Sequence, residues 1–380
     1  MDKENRPGEA NIAATREGRC AMVVSKDLAN KLSLLDKVGK RQYMVQSLIN
    51  SYGLTKMVKV IPLVPATMED LKMFHSSDYV QFLADPNDDD EEQYGLGYDC
   101  PTHPDLLSWV LTVAGGSLTG ATCLVEGKAR VVMNWGGGWH HAHRGGAAGF
   151  CYVNDIVLAI HKLQERFRRI LYIDLDVHHG DGVEDAFSAT DKVATFSIHK
   201  YEPGYFPGTG AVTDIGTGRG RHHSINIPLQ EGVTDQMYRH VFCSLFPSII
   251  SSFMPDCIVL QCGADCLTGD SMGGFNLTPE SITACVDDVL AADVPVLVLG
   301  GGGYNLPNTS RCWTSITASV VGMELDTDIP DCDPFFLDYG PDFQLGVSKG
   351  CVRNSNTEEE VERLIRVARG NIEKMKTTLL

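Results

Sequence analysis

The stretch Ile170–Phe187, ILYIDLDVHHGDGVEDAF, decides the fold. It starts as an apolar, β-branched run and ends in acidic, histidine and glycine residues, a pattern typical of a buried strand that leads into a loop. Similar runs recur at Val131–Trp135, Ile170–Asp176, Val193–His199, Ile258–Cys262 and Val296–Leu299. Helical stretches follow at Asp155–Phe167, Asp235–Phe253, Thr278–Ala292 and Thr309–Met323. Strands that alternate with helices predict an α/β fold, with a mostly parallel β-sheet between layers of helices.

The rest of the chain fits one domain. Further elements are expected at Cys20–Val24 (strand) and at Arg41–Ser51, Met68–Leu83 and Leu106–Leu124 (helices). The last helix, Thr357–Met375, starts with a capping box of Thr357 and Glu360 and carries an apolar stripe that docks it on the body. No internal repeat or linker divides the chain. We therefore expect a flexible tail at residues 1–19 and a single folded domain at residues 20–380.

The charge balance narrows the class of partner. The 380 residues include 32 Lys and Arg against 49 Asp and Glu, a net charge of −17. Proteins that hold nucleic acid by its phosphates need clustered Lys and Arg, so no direct nucleic-acid partner is expected. A negative field attracts basic partners, although many soluble enzymes are simply acidic.

The N-terminal residues, the apolar runs and the cysteines bear on where the protein is located. The first nineteen residues lack the apolar core of a signal peptide, and no apolar run approaches the about 18 residues of a membrane span. The twelve cysteines are scattered and form no CxxC pair, which favours buried thiols in a reducing compartment. The sequence thus predicts a soluble intracellular protein without a membrane partner.

Four predicted strands end in chemically unusual segments. These segments are Gly136–His143 (GGGWHHAH), Asp174–Gly182 (DLDVHHGDG), Gly263–Asp270 (GADCLTGD) and Gly300–Asn305 (GGGGYN). Ligands of parallel sheets bind beyond the carboxyl ends of the strands. The four segments therefore predict a site.

Asp174, Asp176 and His178 recur with the period of a strand and are expected on one face of it. Adjacent carboxylates on an apolar strand repel each other, and a divalent cation removes that cost. Asp176 and His178 supply two metal ligands, and Asp265 can supply a third. Three protein ligands leave a position for water, as in catalytic zinc sites. The alternative, an acidic strand end that faces solvent, fits poorly with the apolar strand before it.

Two histidines and a tyrosine complete the predicted site. His140 and His141 follow a glycine run, and Asp174 and Asp181 are available to orient their rings. The alternative is that one of them is a metal ligand or an ordinary loop histidine. Tyr304, after four glycines, can donate its hydroxyl to a carbonyl oxygen at the metal.

These motifs give the chain a resemblance to a known family. It resembles the zinc-dependent histone deacetylases of class I from about Cys20 to the C-terminus, and many motifs in order are more specific than any one. The motifs are WGGGWHHA, AGFCYVND (Ala148–Asp155), Tyr172–Phe187, PGYFPGTG (Pro203–Gly210), QCGADCL (Gln261–Leu267) and LGGGGYN (Leu299–Asn305). The resemblance implies a single domain with the arginase/deacetylase-like α/β fold.

The resemblance also implies roles for individual residues. Asp176, His178 and Asp265 would bind Zn²⁺; Fe²⁺ suits the same ligands. His140 with Asp174 and His141 with Asp181 would hold the attacking water, with His141 as the general base and then the general acid, and Tyr304 would polarise the amide carbonyl. An apolar tunnel for the acyl-lysine stem would be built from Gly149, Phe150, Phe206, Met272 and Gly302, with Asp99 at its rim.

Further sites follow from the same resemblance. One potassium ion would bind at Asp174, Asp176, His178, Ser197 and Ile198. A second would bind at Phe187, Thr190, Val193 and His223. Arg41 matches an arginine below the tunnel, at a proposed acetate exit.

The sequence departs from the family pattern at two places. After WHHA the family usually carries two lysines and an acidic pair, whereas this chain has His143, Arg144, Gly145 and Gly146, which favours a more flexible loop. His223 stands where an aromatic residue is usual, so the second potassium site depends on a different side chain.

The expected function is hydrolysis of N-ε-acetyl-lysine in histones and other proteins, in the nucleus and the cytoplasm, by an enzyme that can act as a monomer. An acetyl-polyamine deacetylase with the same fold is one alternative; Asp99, placed to grip a peptide backbone, argues against it. A non-catalytic scaffold that binds acetyl-lysine is another, and it predicts a lost ligand or a lost tyrosine, whereas all are present.

Overall fold

A computed structural model describes residues 19–87 and 89–378. Within these ranges, the centre is an eight-stranded sheet with parallel pairings throughout. Its strands are β1 (Cys20–Val24), β2 (Lys59–Pro62), β3 (Val131–Asn134), β4 (Ile170–Asp174), β5 (Val193–Lys200), β6 (Ser224–Leu229), β7 (Cys257–Gln261) and β8 (Val296–Leu299). Their order across the sheet is β2-β1-β3-β8-β7-β4-β5-β6. The parallel α/β fold expected from the sequence is confirmed.

Helices cover the sheet and extend beyond it. They are α1 (Lys26–Leu32), α2 (Arg41–Ser51), α3 (Met68–Leu71), α4 (Ser77–Ala84), α5 (Leu106–Val125), α6 (Asp155–Leu163), α7 (Asp181–Phe187), α8 (Asp235–Phe253), α9 (Pro279–Ala291), α10 (Leu306–Val321) and α11 (Glu358–Thr378). Short 3-10 turns lie at Leu54–Lys56, Glu92–Tyr94, Gly218–Gly220 and Phe336–Tyr339.

The sheet separates two apolar cores. Successive residues of a strand point to opposite faces. In β4, Leu171 and Ile173 pack into one core, and Ile170 and Tyr172 pack into the other. The residues of β7 divide between the two cores in the same way. Burial on both faces explains why these strands read as continuous apolar runs in the sequence.

Neighbouring strands bring the unusual segments together. β3, β8, β7 and β4 lie side by side, so their carboxyl ends meet at one edge of the sheet. Backbone hydrogen bonds continue past the strand ends, from Leu175 N to Gln261 O at 3.0 Å and from Cys262 N to Leu299 O at 3.0 Å. The predicted site therefore lies at this edge.

Several element boundaries differ from the sequence-based predictions. β4 ends at Asp174 instead of Asp176, and β2 and β6 were not predicted. Both missed strands contain a proline, and each pairs with a single neighbour, which weakens the strand signal. The predicted helix Met68–Leu83 is two helices, since Thr67 caps α3 and Ser76 caps α4.

One of the two hydrogen bonds of the predicted capping box is present at the start of α11. Glu360 N donates to Thr357 Oγ1 at 3.2 Å, as expected. The carboxylate of Glu360, however, accepts hydrogen bonds from Arg363 at 2.6 and 2.8 Å. An ion pair within the helix thus replaces the second bond of the box.

Helix α5 is long and apolar enough to cross a membrane, by length and composition only, so the expectation that no segment approaches such a span was wrong. Most of its apolar window, 78%, is buried inside the protein. It packs against α6 and the strands β1, β3 and β8. This environment is that of a core helix.

The twelve cysteines all lie within the described ranges and form no disulfide; nine are buried and three exposed. The predicted buried thiols are thus confirmed for most of them. The predicted tail at residues 1–19 lies outside the described residues except for Arg19, whose carbonyl accepts from Arg130 N at 2.8 Å. The domain limits stay a prediction.

Candidate metal centre and active site

Three buried side chains converge beyond β4 and β7. Ligand atoms of Asp176, His178 and Asp265 all lie within 4.8 Å of one another. The chain bends after β4, where Asp176 N donates to Asp174 Oδ1 at 3.1 Å and His178 N donates to Asp176 Oδ1 at 3.0 Å. The strand has ended here, but Leu175 and Val177 still pack into the core that holds Leu171 and Ile173.

The electrostatics of this trio favour a cation. Burial and the nearby charge of Asp176 raise the pKa of Asp265 to about 7. Although burial opposes it, the two carboxylates raise the pKa of His178 to about 10. Two buried carboxylates with one imidazole are a suitable donor set for a divalent metal ion, which replaces the proton that the trio otherwise binds.

A tyrosine fixes which nitrogen of His178 is available to a metal. Nδ1 of His178 lies 3.2 Å from Asp176 Oδ1 and 3.0 Å from Asp265 Oδ2. Its Nε2 lies 3.3 Å from the hydroxyl of Tyr205, which donates its own proton to Met272 O at 2.9 Å. The hydroxyl can therefore only accept from Nε2–H, and the lone pair stays on Nδ1, which faces the carboxylates.

Asp176 is held by two donors from neighbouring strand ends. Gln261 Nε2 and Gly302 N each donate to Asp176 Oδ2 at 2.9 Å. Gly302 must be a glycine here, because an added Cβ would lie 2.0 Å from Asp265 Oδ2. One signal in the sequence marks Gln261, which is a polar residue at the end of an otherwise apolar strand.

Each of the two adjacent histidines is paired with a carboxylate. His140 Nδ1 lies 2.8 Å from Asp174 Oδ2, and His141 Nδ1 lies 2.7 Å from Asp181 Oδ1. The ring centroids are 3.9 Å apart. The predicted pairings are thus present in the structure. With Nδ1 donating to the carboxylate, Nε2 of each ring is the atom left to exchange a proton with a ligand.

The two histidines differ in their electrostatics. Although burial opposes it, Asp174 and Asp176 raise the pKa of His140 to about 9. Burial and the charge of His140 lower the pKa of His141 to about 3, against the hydrogen bond to Asp181. His141 is therefore neutral and keeps the Nε2 lone pair that a general base requires.

Asp155 positions the loop that carries these histidines. Its carboxylate accepts from Gly138 N at 3.0 Å and Trp139 N at 2.8 Å, and Ser117 donates to it as well. Gly138 has φ of 101°, a left-handed conformation that favours glycine. Sequence analysis assigned no role to Asp155, because Ser117 and the loop meet it only in the folded chain.

Tyr304 lies at the same cavity, after β8. Its backbone N donates to Asp270 Oδ2 at 2.7 Å, as does Asn305 N at 3.0 Å. Burial raises the pKa of the Tyr304 hydroxyl well above its ordinary value, so the group stays protonated and can donate. Asp270 thus orients the turn, a role that the sequence analysis missed.

One small cavity is lined by many of the residues predicted to bind the metal or to take part in catalysis. Among the residues that line it are the predicted Arg41, His140, His141, Gly149, Asp176, His178, Gly302 and Tyr304. Arg41 donates to Gly303 O at 2.8 Å and lies 5.0 Å from the Trp313 ring. It is buried and lines the same cavity as the two histidines, and its place at an acetate exit stays a prediction.

The residues predicted to form the tunnel contact the catalytic residues or one another. The Phe206 ring is partly exposed and packs edge-on against His141, with centroids 4.8 Å apart. Phe150 packs against Tyr304 at 5.7 Å. The Met272 backbone contacts Tyr205, as described above. Asp99 Oδ2 accepts from Gly149 N at 2.9 Å, so the carboxylate predicted at the rim is bound to a residue predicted in the wall.

The residues named for the first potassium site lie on or just after the neighbouring strands β4 and β5. Ser197 lies beside Asp174 in the register of β5 and β4, and Ile198 follows it. Phe187 and Thr190 lie at the end of α7, where Thr190 N donates to Phe187 O at 3.1 Å. Val193 begins β5, and His223 O accepts from Thr195 N at 2.8 Å.

A larger groove lies elsewhere, between β2 and α5. Its lining combines apolar residues with scattered charges, including Val60, Val64, Met73, Lys128 and Glu165. It contains no grouping of metal ligands among the described residues. The chemistry is thus concentrated in the smaller cavity.

Comparisons with known proteins agree with this geometry. A family model of the histone deacetylase domain matches residues 36–320. Histone deacetylase 8 of Xenopus tropicalis is 47% identical over 345 residues, which cover 89% of this chain and 93% of that protein. Histone deacetylase 8 of Danio rerio is 44% identical over 370 residues, 96% of this chain and 98% of that protein.

A more distant relative is histone deacetylase 1 of Homo sapiens, 42% identical over 328 residues, which cover 84% of this chain and 68% of that protein. The resemblance read from the sequence motifs is thereby confirmed. Tyr94–Pro101 and Met272 favour similarity to histone deacetylase 8 within class I, which these matches support.

Proposed function

The chain belongs to the histone deacetylase family, and we propose that Zn²⁺ held by Asp176, His178 and Asp265 serves its reaction. The enzyme is a protein lysine deacetylase. It hydrolyses the amide of N-ε-acetyl-lysine and releases acetate and free lysine.

The observation that carries this function is the shared cavity. His140, His141 and Tyr304 line the same cavity as Asp176 and His178. A divalent ion bound there supplies Lewis-acid polarisation of the acetyl carbonyl and makes a bound water more acidic. The protein itself supplies the proton transfers and the hydrogen bonds that accompany them.

The residues divide these tasks between them. His141 takes the proton of the attacking water at Nε2, while Asp181 holds its Nδ1–H. Tyr304 donates its hydroxyl to the acetyl oxygen as negative charge develops there. His141 then delivers the proton to the leaving lysine amine, so the histidine ends the cycle neutral.

Substrate binding uses the entrance described above. Phe150 and Phe206 offer apolar surface to the acyl-lysine stem, with Gly149, Gly302 and Met272 beside it. Asp99 can accept hydrogen bonds from the substrate backbone at the rim. A tunnel that admits one extended side chain suits protein substrates, which include histone tails and other acetylated proteins.

Other aspects of the proposal rest on the family and on charge. We propose K⁺ as a bound ion at Asp174, Asp176, His178, Ser197 and Ile198, with a second site at Phe187, Thr190, Val193 and His223. The net charge of −17 supports basic protein partners and no direct binding of nucleic acid. We further propose a monomeric enzyme that acts in the nucleus and the cytoplasm without a membrane partner.

The test is a deacetylation assay with acetyl-lysine peptides. Chelation should abolish turnover, and add-back of Zn²⁺ or Fe²⁺ should restore it, which also ranks the two metals. Free acetyl-polyamines serve as the comparison substrate. Turnover with no metal, or on acetyl-polyamines in preference to peptides, would contradict the proposal. The scaffold alternative is not favoured, because all the ligands and Tyr304 are present.

A further inference from the structure

The residue before helix α6 binds the backbone on both sides of His141. Asn154 is fully buried, and its Nδ2 donates to His140 O at 3.1 Å and to Ala142 O at 2.9 Å. These carbonyl groups belong to the residues directly before and after His141. Both residues are buried, so water cannot readily replace a donor that is lost there. One amide group therefore fixes the turn from which the His141 ring projects.

The partners of Asn154 determine which way its amide points. Its Oδ1 accepts from Val157 N at 3.0 Å and thereby caps the start of α6. A backbone N–H can only donate and a carbonyl oxygen can only accept, so the amide oxygen faces the helix and the amide nitrogen faces the loop. The backbone N of Asn154 also donates to His75 Nε2 at 3.1 Å. Asn154 is thus held in one orientation by its side chain and by its backbone.

The start of helix α7 packs against the same amide group. A Cβ added to Gly182 would lie 2.6 Å and 2.7 Å from the two carbonyl oxygens that Asn154 binds, and 2.9 Å from Asn154 Nδ2. The helix therefore needs a glycine to approach the loop this closely. Asp181, the residue before this glycine, accepts from His141 Nδ1 at 2.7 Å. The same packing thus sets the separation between the backbones of His141 and Asp181.

The ring of His141 has little room to adjust if its backbone moves. A Cβ added to Gly149 would lie 2.5 Å from His141 Cδ2, so the backbone of Gly149 lies directly against the ring. Phe206 packs edge-on against the same ring, as described above. A misplacement of about 1 Å in a reacting group can lower a rate by about 100-fold. Control of the backbone around His141 is therefore control of the position of its Nε2.

Asn154 and Asp155 hold the loop by opposite chemistry. The carboxylate of Asp155 accepts from the backbone N–H groups of Gly138 and Trp139, whereas the amide of Asn154 donates to carbonyl groups further along the loop. An acceptor is required at position 155 and a donor at position 154, so the amide and the carboxylate are not interchangeable. This requirement accounts for the Asn-Asp pair that ends the motif Ala148–Asp155.

We propose that Asn154 is a positioning residue of the active site, whose amide sets the place of His141 for proton transfer. This inference rests on the proposed deacetylase function. The role is indirect, because Asn154 acts on the backbone that carries His141 and on its distance from Asp181. A loss of this amide should therefore slow the chemical step and leave the binding of metal and substrate largely intact.

The variant that tests this role is Asn154→Ser in the metal-loaded, full-length enzyme. Serine caps helices as well as asparagine does, so α6 should keep its start, but serine has no amide to donate to the two carbonyl oxygens. We expect kcat for an acetyl-lysine peptide to fall by about 10-fold or more, with little change in KM or in Zn²⁺ affinity. Asn154→Asp keeps the cap and the size of the side chain but replaces the N–H donors, and it should lower kcat as well.

A double-mutant cycle separates the positioning of His141 from a general structural effect. In a His141→Ala background the positioned side chain is absent, so Asn154→Ser should lower the residual kcat by less than about twofold. In the native background the same substitution should have its full effect. Equal factors in the two backgrounds would show that Asn154 does not act through His141, and would overturn the inference.

Thr234→Ala is the matched control, because it removes the side-chain cap of α8 beside α11. It should lower Tm and leave kcat unchanged, which shows that the loss of a helix cap does not by itself slow the reaction. Native kcat in Asn154→Ser, or loss of Zn²⁺ binding in both Asn154 variants, would overturn this inference alone. Absence of deacetylation by the native enzyme would overturn the proposed function instead.

Discussion

The rings of His178 and Tyr205 stack face to face, with planes 1° apart and centroids 5.3 Å apart. The Tyr205 hydroxyl also lies 3.3 Å from His178 Nε2. Both contacts hold the imidazole in the orientation that presents Nδ1 to Asp176 and Asp265. A loop tyrosine thereby prepares a metal ligand.

Tyr205→Phe should weaken metal binding by about 10- to 100-fold, the usual effect of removing a partner of a ligating histidine. The phenylalanine keeps the stacking and removes only the hydroxyl, so the fold should be preserved. The measurement is Zn²⁺ affinity by competition with a chelator. Tyr201→Phe, in the same loop, is the matched control. Equal affinities for Tyr205→Phe and the native protein would refute the role.

Tyr304→Phe and His141→Ala should each lower kcat by about 10²-fold or more, the scale of losing an oxyanion donor or an acid–base group. Metal content and peptide affinity should change little, because neither side chain is a metal ligand. Single-turnover kinetics with metal-loaded variants separate chemistry from binding. Near-native turnover of either variant would show that the replaced residue does not take part in the mechanism.

His75 should make stability depend on pH. Burial lowers its pKa to about 4, and its Nε2 accepts from Asn154 N at 3.1 Å, so the folded protein holds it neutral. The unfolded chain protonates it below about pH 6.5. The contribution of the neutral His75 to the free energy of unfolding is therefore complete above about pH 6.5. It is lost as the pH falls towards about 4, and the loss amounts to about 3 kcal/mol.

The check is chemical denaturation of the native protein and His75→Gln between pH 4 and 8. The native free energy of unfolding should fall more steeply than that of the variant as the pH decreases. A comparison of the two slopes cancels the carboxylates and the metal site, which both proteins share. Parallel curves would show that His75 does not titrate on unfolding.

The principal site residues could be predicted because of the sheet. In a parallel sheet the carboxyl ends of neighbouring strands meet, so Asp176 after β4, Asp265 after β7 and Tyr304 after β8 converge whatever the details of the loops. The pairing of His141 with Asp181 is implied only by the family resemblance, because the residues themselves offer Asp174 and Asp181 to the two rings without assigning them.

The supporting residues could not be predicted, because their roles depend on contacts between distant segments. Tyr205 and Asp270 lie in loops, where periodicity gives no register. The sequence predicts Asp155 only as the first residue of a helix. In the structure its carboxylate accepts hydrogen bonds from the backbone N–H groups of Gly138 and Trp139. His143 departs from the family pattern, and its contacts with Asp181 and Asp185 on α7 exist only in the folded chain.

Substrate affinity should depend on salt. The run Asp85–Glu92 lies shortly before Asp99 in the chain and is largely exposed where described. It can attract Lys-rich tails towards the rim, an attraction that salt screens. KM for a basic acetylated peptide should rise by about threefold or more between low and high salt, and a neutral peptide should show no such rise.

The variant that tests this attraction replaces three of the acids, as Asp85→Asn, Asp89→Asn and Glu92→Gln. It should raise KM for the basic peptide at low salt and reduce the salt effect, with kcat unchanged. Steady-state kinetics at several ionic strengths measure both quantities. A KM for basic peptides that is independent of salt in the native enzyme would contradict the steering role.

Gly302→Ala should abolish metal binding and turnover. The added Cβ would lie 2.0 Å from Asp265 Oδ2 and 3.0 Å from Asp176 Oδ2, so at least one carboxylate must leave its place. Gly145→Ala is the matched control, because a Cβ at Gly145 meets no atom within 4 Å. Metal content after dialysis and Tm should separate the two variants. Stoichiometric metal in Gly302→Ala would contradict this prediction, because it would show that the two carboxylates can move and still bind the ion.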